Sequence, residues 1–287
     1  MNDLLAVQNL SVSYAGALSP SIADVSFNLE AGEIIGVVGE SGSGKTTLGL
    51  ALLGLLPWNA SFKGSVQFDG TEILGASERQ LRPLRGTQLS TIVQNPATAL
   101  NPSFSIGSQI VALLRRHLNL TKTEARSLAI DWLDRVGISE PKKRMDSYSH
   151  QLSGGMNQRV VIAMALALSP RLVIADEPTS ALDVTVQAAV LGLITELIEG
   201  SGSSMVLVTH DLGVIAQMCS RVIVMKDGRV LEVGEVDQIF HAPRNPYTKH
   251  LLDSQPSHTS QSKPISKSRH SEADVATSRL SEEYGHE

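Results

Sequence analysis

Alternation between apolar and polar side chains predicts several short strands in the first third of the chain. The alternation runs through residues 7–14, 24–30 and 64–69, as expected for strands that bury one face. Residues 34–38 are instead continuously apolar, which is typical of a strand covered on both faces of a parallel sheet. Residues 88–94 form another candidate core strand. The pattern therefore predicts antiparallel strands combined with a parallel core.

The middle of the chain has a helical pattern. Thr121 and Glu124 have the spacing of a capping box, which predicts a helix start, and Gly137 predicts its end. The apolar face of this predicted helix carries Leu128, Trp132, Leu133 and Val136. We predict that residues 95–168 form a helical subdomain inserted into an α/β core.

Apolar strands return in the last third. Residues 172–175 and 205–209 flank a long helical stretch at 184–199, and this β-α-β order predicts a parallel sheet with right-handed crossovers. Residues 221–225 and 229–233 flank an Asp-Gly pair, which is a strong hairpin signal. The sequence thus predicts one α/β domain that closes with a hairpin.

The composition changes after residue 252. Residues 253–287 are rich in serine, with few and scattered apolar side chains, so they bury too little surface to offset the entropy of ordering. We predict one domain over residues 1–252 and a mostly disordered tail. A short docking helix around residues 271–283 is the alternative.

The first candidate for chemistry is a glycine-rich loop between the apolar strand at 34–38 and a predicted helix. It reads G-x-x-x-x-G-K-T, the phosphate-binding P-loop. Its glycines let consecutive N–H groups face one anion at a helix N-terminus. Lys45 can reach the β- and γ-phosphates of ATP, and the Thr46 hydroxyl can ligate Mg²⁺. The predicted nucleotide-binding residues are Gly39, Glu40, Ser41, Gly42, Ser43, Gly44, Lys45, Thr46 and Thr47.

A pair of carboxylates supplies the second candidate. The apolar run at 172–175 ends in Asp176 and Glu177, which places both at the edge where such sheets bind ligands. Asp176 fits a partner of Mg²⁺, directly or through water. Glu177 points elsewhere and can act as the general base toward the attacking water.

A second glycine-rich stretch, Leu-Ser-Gly-Gly-Met-Asn-Gln at residues 152–158, follows the helical region. With the P-loop it makes the chain, from about residue 4 to 252, resemble the nucleotide-binding subunits of ABC transporters. The resemblance implies the ABC ATPase fold: a P-loop NTPase core with a mixed sheet, an antiparallel β subdomain and an inserted α-helical subdomain. It also implies that the catalytic site is completed by a second subunit.

The resemblance assigns roles to further residues. Tyr14 would stack on adenine, and Gln94 would sense Mg²⁺ and the membrane partner. His210 would contact the γ-phosphate. Residues of the interface would be Ser153, Gly154 and Gly155, which would bind the γ-phosphate of ATP held by the opposite subunit, and Asp183 in the loop that crosses between the subunits.

Three stretches, 94–102, 155–166 and 240–248, narrow the resemblance to peptide and nickel importers, and most of all to the first, "D-type", ATPase of such importers. A C-terminal Pro-Tyr segment over about 240–252 belongs to this signal. The implied partners are two transmembrane permeases, a sister ATPase or a second copy, and an external solute-binding protein that acts indirectly. The implied location is peripheral, on the cytoplasmic face of the membrane.

Composition limits the alternatives. The net charge of −5 argues against nucleic acid as the main partner. The single cysteine, Cys219, excludes an internal disulfide, and we expect no iron–sulfur cluster, a departure from peptide-importer members that continue into a cysteine cluster. No signal peptide and no apolar stretch of about 18–20 residues are evident, so we expect a soluble, cytosolic chain that reaches the membrane through a partner.

Two other function classes remain open. One is a soluble ABC ATPase that acts on ribosomes or nucleic acid, although such proteins usually carry two cassettes, coiled coils or zinc modules. The other is a regulator that binds ATP without hydrolysing it, against which the presence of Glu177 and His210 argues.

Overall fold

The computed structural model describes residues 3–180 and 182–254. Its strands are β1 (Leu5–Tyr14), β2 (Ile22–Leu29), β3 (Ile34–Val38), β4 (Ala60–Phe68), β5 (Thr71–Glu72), β6 (Leu89–Ile92), β7 (Leu172–Asp176), β8 (Ser204–Val208), β9 (Arg221–Lys226) and β10 (Arg229–Glu235). Its helices are α1 (Lys45–Leu52), α2 (Glu78–Leu81), α3 (Pro96–Ala99), α4 (Ile106–His117), α5 (Lys122–Arg135), α6 (Pro141–Arg144), α7 (Gly154–Leu166), α8 (Val184–Ser201), α9 (Leu212–Met218), α10 (Val236–His241) and α11 (Pro246–Asp253), with a 3₁₀ turn at Ser149–Gln151.

The strands form two sheets. An antiparallel sheet has the order β2-β1-β4-β5, and a six-stranded sheet has the order β10-β9-β3-β8-β7-β6. The six-stranded sheet is parallel except for the β9–β10 hairpin. This arrangement confirms the predicted combination of antiparallel strands and a parallel core. Strand β4 begins four residues earlier than predicted because Ala60 pairs with Tyr14 of β1.

The parallel sheet separates two hydrophobic cores. Along β3 the apolar side chains alternate between them: Ile35 and Val37 belong to the core shared with the antiparallel sheet. Ile34 and Val38 belong to the core shared with the helices. A strand buried on both faces has no polar alternation, which explains its continuously apolar sequence.

Helices α3 to α7 occupy the chain between β6 and β7. Helix α5 begins with the predicted capping box, in which the main-chain N–H of Thr121 donates to Glu124 at 2.7 Å and that of Glu124 donates to the Thr121 hydroxyl at 3.3 Å. Gly137 follows the helix with a φ of +72°, a conformation suited to glycine. On its apolar face Trp132, Leu133 and Val136 are buried, and Leu128 is partly buried.

Helix α8 corrects one expectation from the sequence. It is 18 residues long with a mean hydropathy of 1.3, so by length and composition it could span a membrane, although we expected no such stretch. The helix connects β7 to β8, and its buried residues pack in the core between the sheet and the helices: Val190, Leu191, Ile194, Leu197 and Ile198. Part of its apolar character therefore serves this core, whereas Val184 at its start is 84% exposed.

The chain after β8 closes the domain. Asp227 and Gly228 both have positive φ, +48° and +75°, in the predicted hairpin turn between β9 and β10. Helix α11 ends at Asp253, so the first residue of the predicted tail is helical. Ser254 forms a turn after this helix, and residues 255–287, including the alternative helix at 271–283, lie outside the described residues.

Candidate functional site

The loop between β3 and α1 wraps around the ammonium group of Lys45. The Nζ atom donates to the carbonyl oxygens of Gly39 at 2.8 Å and Glu40 at 2.9 Å. Gly42 and Gly44 have φ of +81° and +100°, so the loop needs glycine there to turn into the helix. Burial lowers the pKa of Lys45, and the carboxylates of Glu177 and Asp176 oppose part of that shift. The Lys45 ammonium is thus held beside two carboxylates.

A cleft of about 370 Å³ opens above this loop, at the carboxyl ends of the parallel strands. It is lined by Ser21, Ser41, Gly42, Gly44, Lys45, Thr46, Thr47, Gln94, Asp176, Glu177 and His210. Residues predicted from four separate parts of the sequence therefore line one cleft. Ser21 was not predicted, because an isolated serine in the loop before β2 carries no sequence signal.

The two carboxylates at the end of β7 have different surroundings. Burial raises the pKa of Asp176, and its hydrogen bond with the Thr46 side chain acts in the opposite direction. Glu177 has a φ of +44°, and its main-chain N–H donates to the Val208 carbonyl at 2.8 Å. This turn at the strand end points Asp176 and Glu177 to different partners, as predicted.

Glu177 contacts two other polar side chains of the cleft, those of Gln94 and His210. Its Oε2 atom accepts a hydrogen bond from Gln94 Nε2 at 2.9 Å, and its Oε1 atom lies 3.0 Å from His210 Nδ1. Gln94 Nε2 also donates to the hydroxyl of Ser180 at 3.2 Å. A displacement of Gln94 would therefore act directly on the Glu177 carboxylate.

Tyr14 is not among the residues that line the cleft, but it contacts one of them, Thr47. Its hydroxyl lies 3.2 Å from Thr47 Oγ1, which in turn lies 2.8 Å from Ser21 Oγ. These contacts tie the end of β1 to the first turn of α1. The stacking of Tyr14 on adenine stays a prediction.

The structure does not bring Ser153, Gly154, Gly155 or Asp183 into this cleft. Ser153 caps α7, where its hydroxyl accepts from the main-chain N–H of Met156 at 3.2 Å. Asp183 caps α8 in the same way, accepting from Val186 at 3.0 Å. The two helix starts are close, since a Cβ atom added at Gly155 would lie 2.8 Å from Val186 Cγ1. Ser153, Gly154 and Asp183 are all exposed.

Tyr247 makes a contact with the P-loop that the sequence did not predict. Its hydroxyl accepts a hydrogen bond from the main-chain N–H of Glu40 at 3.4 Å, and Lys226 Nζ lies 4.4 Å from the centre of its ring. The sequence identified the Pro-Tyr segment only as a family signal. The distance of more than 200 residues from the P-loop explains why no local pattern revealed the contact.

Comparisons with known proteins agree with this geometry. The ABC transporter family model matches residues 22–180, and the model for the oligopeptide/dipeptide transporter C-terminal region matches residues 231–280. The oligopeptide transport ATP-binding protein OppD of Salmonella typhimurium is 46% identical over 258 residues, which cover 89% of this chain and 77% of that protein. The dipeptide transport ATP-binding protein DppD of Escherichia coli is 44% identical over 256 residues, covering 88% and 78%.

A longer relative matches equally well. The peptidoglycan transport ATP-binding protein YejF of Agrobacterium fabrum is 47% identical over 270 residues, and this chain spans half of its length. Among solved structures, a dimeric ATP-binding cassette in a post-hydrolysis state with ADP and Pi superposes with a TM-score of 0.72 at 28% identity, covering 81% of this chain and 98% of that one. CbiO1 from Clostridium perfringens, part of an ABC transporter complex, gives 0.71 at 28% identity, covering 88% and 100%. This chain belongs to the ABC transporter family, as an ATP-binding and ATP-hydrolysing subunit of the oligopeptide/dipeptide transporter branch.

Proposed function

We propose that this chain energises the uptake of peptides, as a peripheral subunit on the cytoplasmic face of the membrane that works with two permeases. The observation that carries the proposal is the single cleft that gathers the P-loop, Asp176, Glu177, Gln94 and His210. The names of the related proteins support transport over action on ribosomes or nucleic acid.

The P-loop would hold the phosphates of ATP. Its main-chain N–H groups and the N-terminus of α1 favour an anion, and the Lys45 ammonium is already surrounded by the loop. On ATP binding, Lys45 would exchange a carbonyl partner for a phosphate oxygen. Thr46, Asp176 and Gln94 are the oxygen donors of the cleft that suit Mg²⁺, which when bound neutralises phosphate charge.

Glu177 would act as the general base. Its carboxylate lies in the cleft, where it can accept a proton from the water that attacks the γ-phosphate. His210, 3.0 Å away, would hold the orientation of this carboxylate and contact the γ-phosphate. The products of the step are ADP and phosphate, and the proton stays first on Glu177.

A second cassette would complete the site. Ser153, Gly154 and Gly155 start an α-helix, so their N–H groups suit a phosphate, yet they do not line the cleft of their own chain. They would bind the γ-phosphate of ATP held by a sister ATPase or a second copy, with Asp183 at the crossing between the two. A related cassette has been solved as a dimer.

An apolar groove of about 280 Å³ would receive a permease helix. It lies beside β6, the strand that leads into Gln94, and its apolar lining includes Leu55, Leu89, Val93, Leu113, Val161 and Met164. Because Gln94 contacts Glu177, a helix that moves the groove would also move the general base. We propose that coupling passes through residues 94–103 and α4 on this route.

Two variants test the ATPase mechanism because each should lose ATP hydrolysis at a different step, one at ATP binding and the other at the chemical reaction. Lys45→Ala removes a phosphate contact and should weaken ATP binding. Glu177→Gln keeps the shape of the side chain but removes the base, so ATP should bind and persist while hydrolysis falls about 10²–10⁴-fold. Glu199→Gln, an exposed residue of α8, is the matched control and should hydrolyse ATP normally. Wild-type turnover by Glu177→Gln in the complex would refute the assignment.

The transported solute is tested separately. An external solute-binding protein and the permeases would select it, so none of the residues above should touch it. Disruption of this gene should abolish uptake of labelled dipeptides or oligopeptides, with nickel uptake measured alongside because nickel importers share the sequence signal. If all of these persist and another solute class fails to enter, the substrate assignment is wrong while the ATPase assignment stands.

A further inference from the structure

Tyr247 lies in a segment to which the proposed ATPase mechanism assigns no role. It belongs to α11, more than 200 residues after the P-loop, and only 8% of its surface is exposed. Its hydroxyl accepts from the main-chain N–H of Glu40, the second residue of the P-loop. The carbonyl of the same Glu40 accepts from Lys45 Nζ at 2.9 Å. Tyr247 therefore contacts the residue that also holds the ammonium group of the P-loop lysine.

Hydrogen bonds on the side of Tyr247 away from the P-loop hold the start of its helix in place. The main-chain N–H of Tyr247 donates to the Asn245 side chain at 2.9 Å, which caps α11. The main-chain N–H groups of Asn245 and Arg244 donate to the carboxylate of Glu232 in β10, at 3.0 and 2.9 Å. The ammonium group of Lys226, at the end of β9, also lies over the ring of Tyr247. A continuous set of contacts thus connects the β9–β10 hairpin to the start of the P-loop.

The hairpin itself lies against the same loop. The main-chain N–H of Gly228 donates to the Ser43 carbonyl at 3.2 Å. A Cβ atom added at Gly39 would lie 2.1 Å from the carbonyl oxygen of Met225, so the loop start touches the end of β9. The P-loop is consequently supported on one side by β9, by the hairpin turn and by Tyr247.

We propose that Tyr247 is a positioning residue that holds the P-loop in the conformation competent for ATP. The inference rests on the proposed nucleotide site and adds a role for the C-terminal segment. Tyr247 does not line the cleft, so its effect should come through the fraction of molecules whose loop is already arranged for ATP. When that fraction falls, the apparent dissociation constant rises by the same factor, whereas saturating ATP restores the arrangement.

The test uses the full chain and measures fluorescent ATP binding together with kcat and KM for hydrolysis. Tyr247→Phe removes only the hydroxyl and should raise Kd and KM for ATP about two- to tenfold, the range for loss of one neutral hydrogen bond, with kcat within about twofold of wild type. Lys226→Met removes the charge on the ring and should shift KM in the same direction. If Tyr247→Phe does not fold, the KM of Lys226→Met alone decides whether the contact with Tyr247 positions the P-loop.

Ile239→Val is the matched control, because it shortens a fully buried side chain of α10 without touching the P-loop. It should leave KM unchanged. Wild-type KM in Tyr247→Phe and Lys226→Met, or an equal rise in the Ile239→Val control, would overturn the inference, since the segment would then matter only for stability. Failure of wild-type protein to bind ATP, or full binding by Lys45→Ala, would overturn the proposed site and this inference with it.

Discussion

Replacement of Glu232 by alanine should detach the C-terminal segment from the hairpin. Glu232 is 9% exposed, and each of its two carboxylate oxygens accepts from a different main-chain N–H, Arg244 on Oε1 and Asn245 on Oε2. Gln238 Nε2 donates to Oε1 as well, at 3.3 Å. Alanine would leave both main-chain donors without their acceptor.

The loss of stability expected for Glu232→Ala can be worked out from these hydrogen bonds. A hydrogen bond to a charged group contributes about 1.5–3 kcal/mol, and water can partly replace the carboxylate because Arg244 is exposed. We expect a loss of about 2–4 kcal/mol in the free energy of unfolding. In a domain of this size about 1 kcal/mol corresponds to 2–4 °C, so Tm should fall by about 4–16 °C.

Thermal unfolding of the purified chain, with hydrogen exchange of residues 244–253, measures this effect. Glu232→Gln is the informative companion, because an amide offers one oxygen where the carboxylate uses two, and it should lie between wild type and Glu232→Ala. A Tm within 1 °C of wild type, with unchanged exchange in that segment, would show that Glu232 does not hold the C-terminal segment in place.

The same contact sets a pH dependence. Burial would raise the pKa of Glu232, but the hydrogen bonds it accepts hold the pKa below its ordinary value of 4.5. A carboxyl with a depressed folded pKa stabilises the protein above its unfolded pKa and loses that contribution as pH falls through the folded value. The difference in stability between wild type and Glu232→Ala should therefore be complete at pH 7 and shrink below about pH 4.5.

Three further outcomes are expected. Gly39→Ala should weaken ATP binding, because its Cβ atom would meet the Met225 carbonyl oxygen at 2.1 Å and push the P-loop away, and a wild-type Kd would contradict this. Gln94→Ala in the assembled transporter should uncouple transport from ATP binding, and an equal loss of both would show a purely structural role. Burial raises the pKa of Cys219 to about 12, so iodoacetamide at pH 8 should label this partly buried thiol far more slowly in the native chain than after unfolding, and equally rapid labelling of both would contradict this.

Motifs with local signals were predicted well. The P-loop, the capping box at Thr121 and the Asp-Gly hairpin each depend on a few neighbouring residues, and the structure contains all three elements. The boundaries of the domain and of the helical subdomain stay predictions. The early start of β4 depends on pairing with β1, a long-range contact that the local pattern does not contain.

Most residues of the site were predicted from the sequence, but the contacts between them were not. Gln94, Glu177 and His210 were identified one at a time, but only the folded chain shows that Glu177 contacts both of the others. Ser21 and Tyr247 were missed in the site because their partners, Thr47 and Glu40, are remote in sequence. The apolar helix α8 was missed because polar residues such as Gln187 and Glu196 interrupt its apolar run, although the mean hydropathy over its 18 residues is 1.3.

Light scattering of the Glu177→Gln variant, with and without ATP and Mg²⁺, tests most directly whether ATP is held between two cassettes. We expect a dimer only with ATP, alone or with the sister ATPase, and a monomer when Ser153→Arg is added to block the phosphate-binding helix start. A monomer under every condition, or an ATP-dependent dimer that Ser153→Arg leaves intact, would show that ATP is not held between two cassettes.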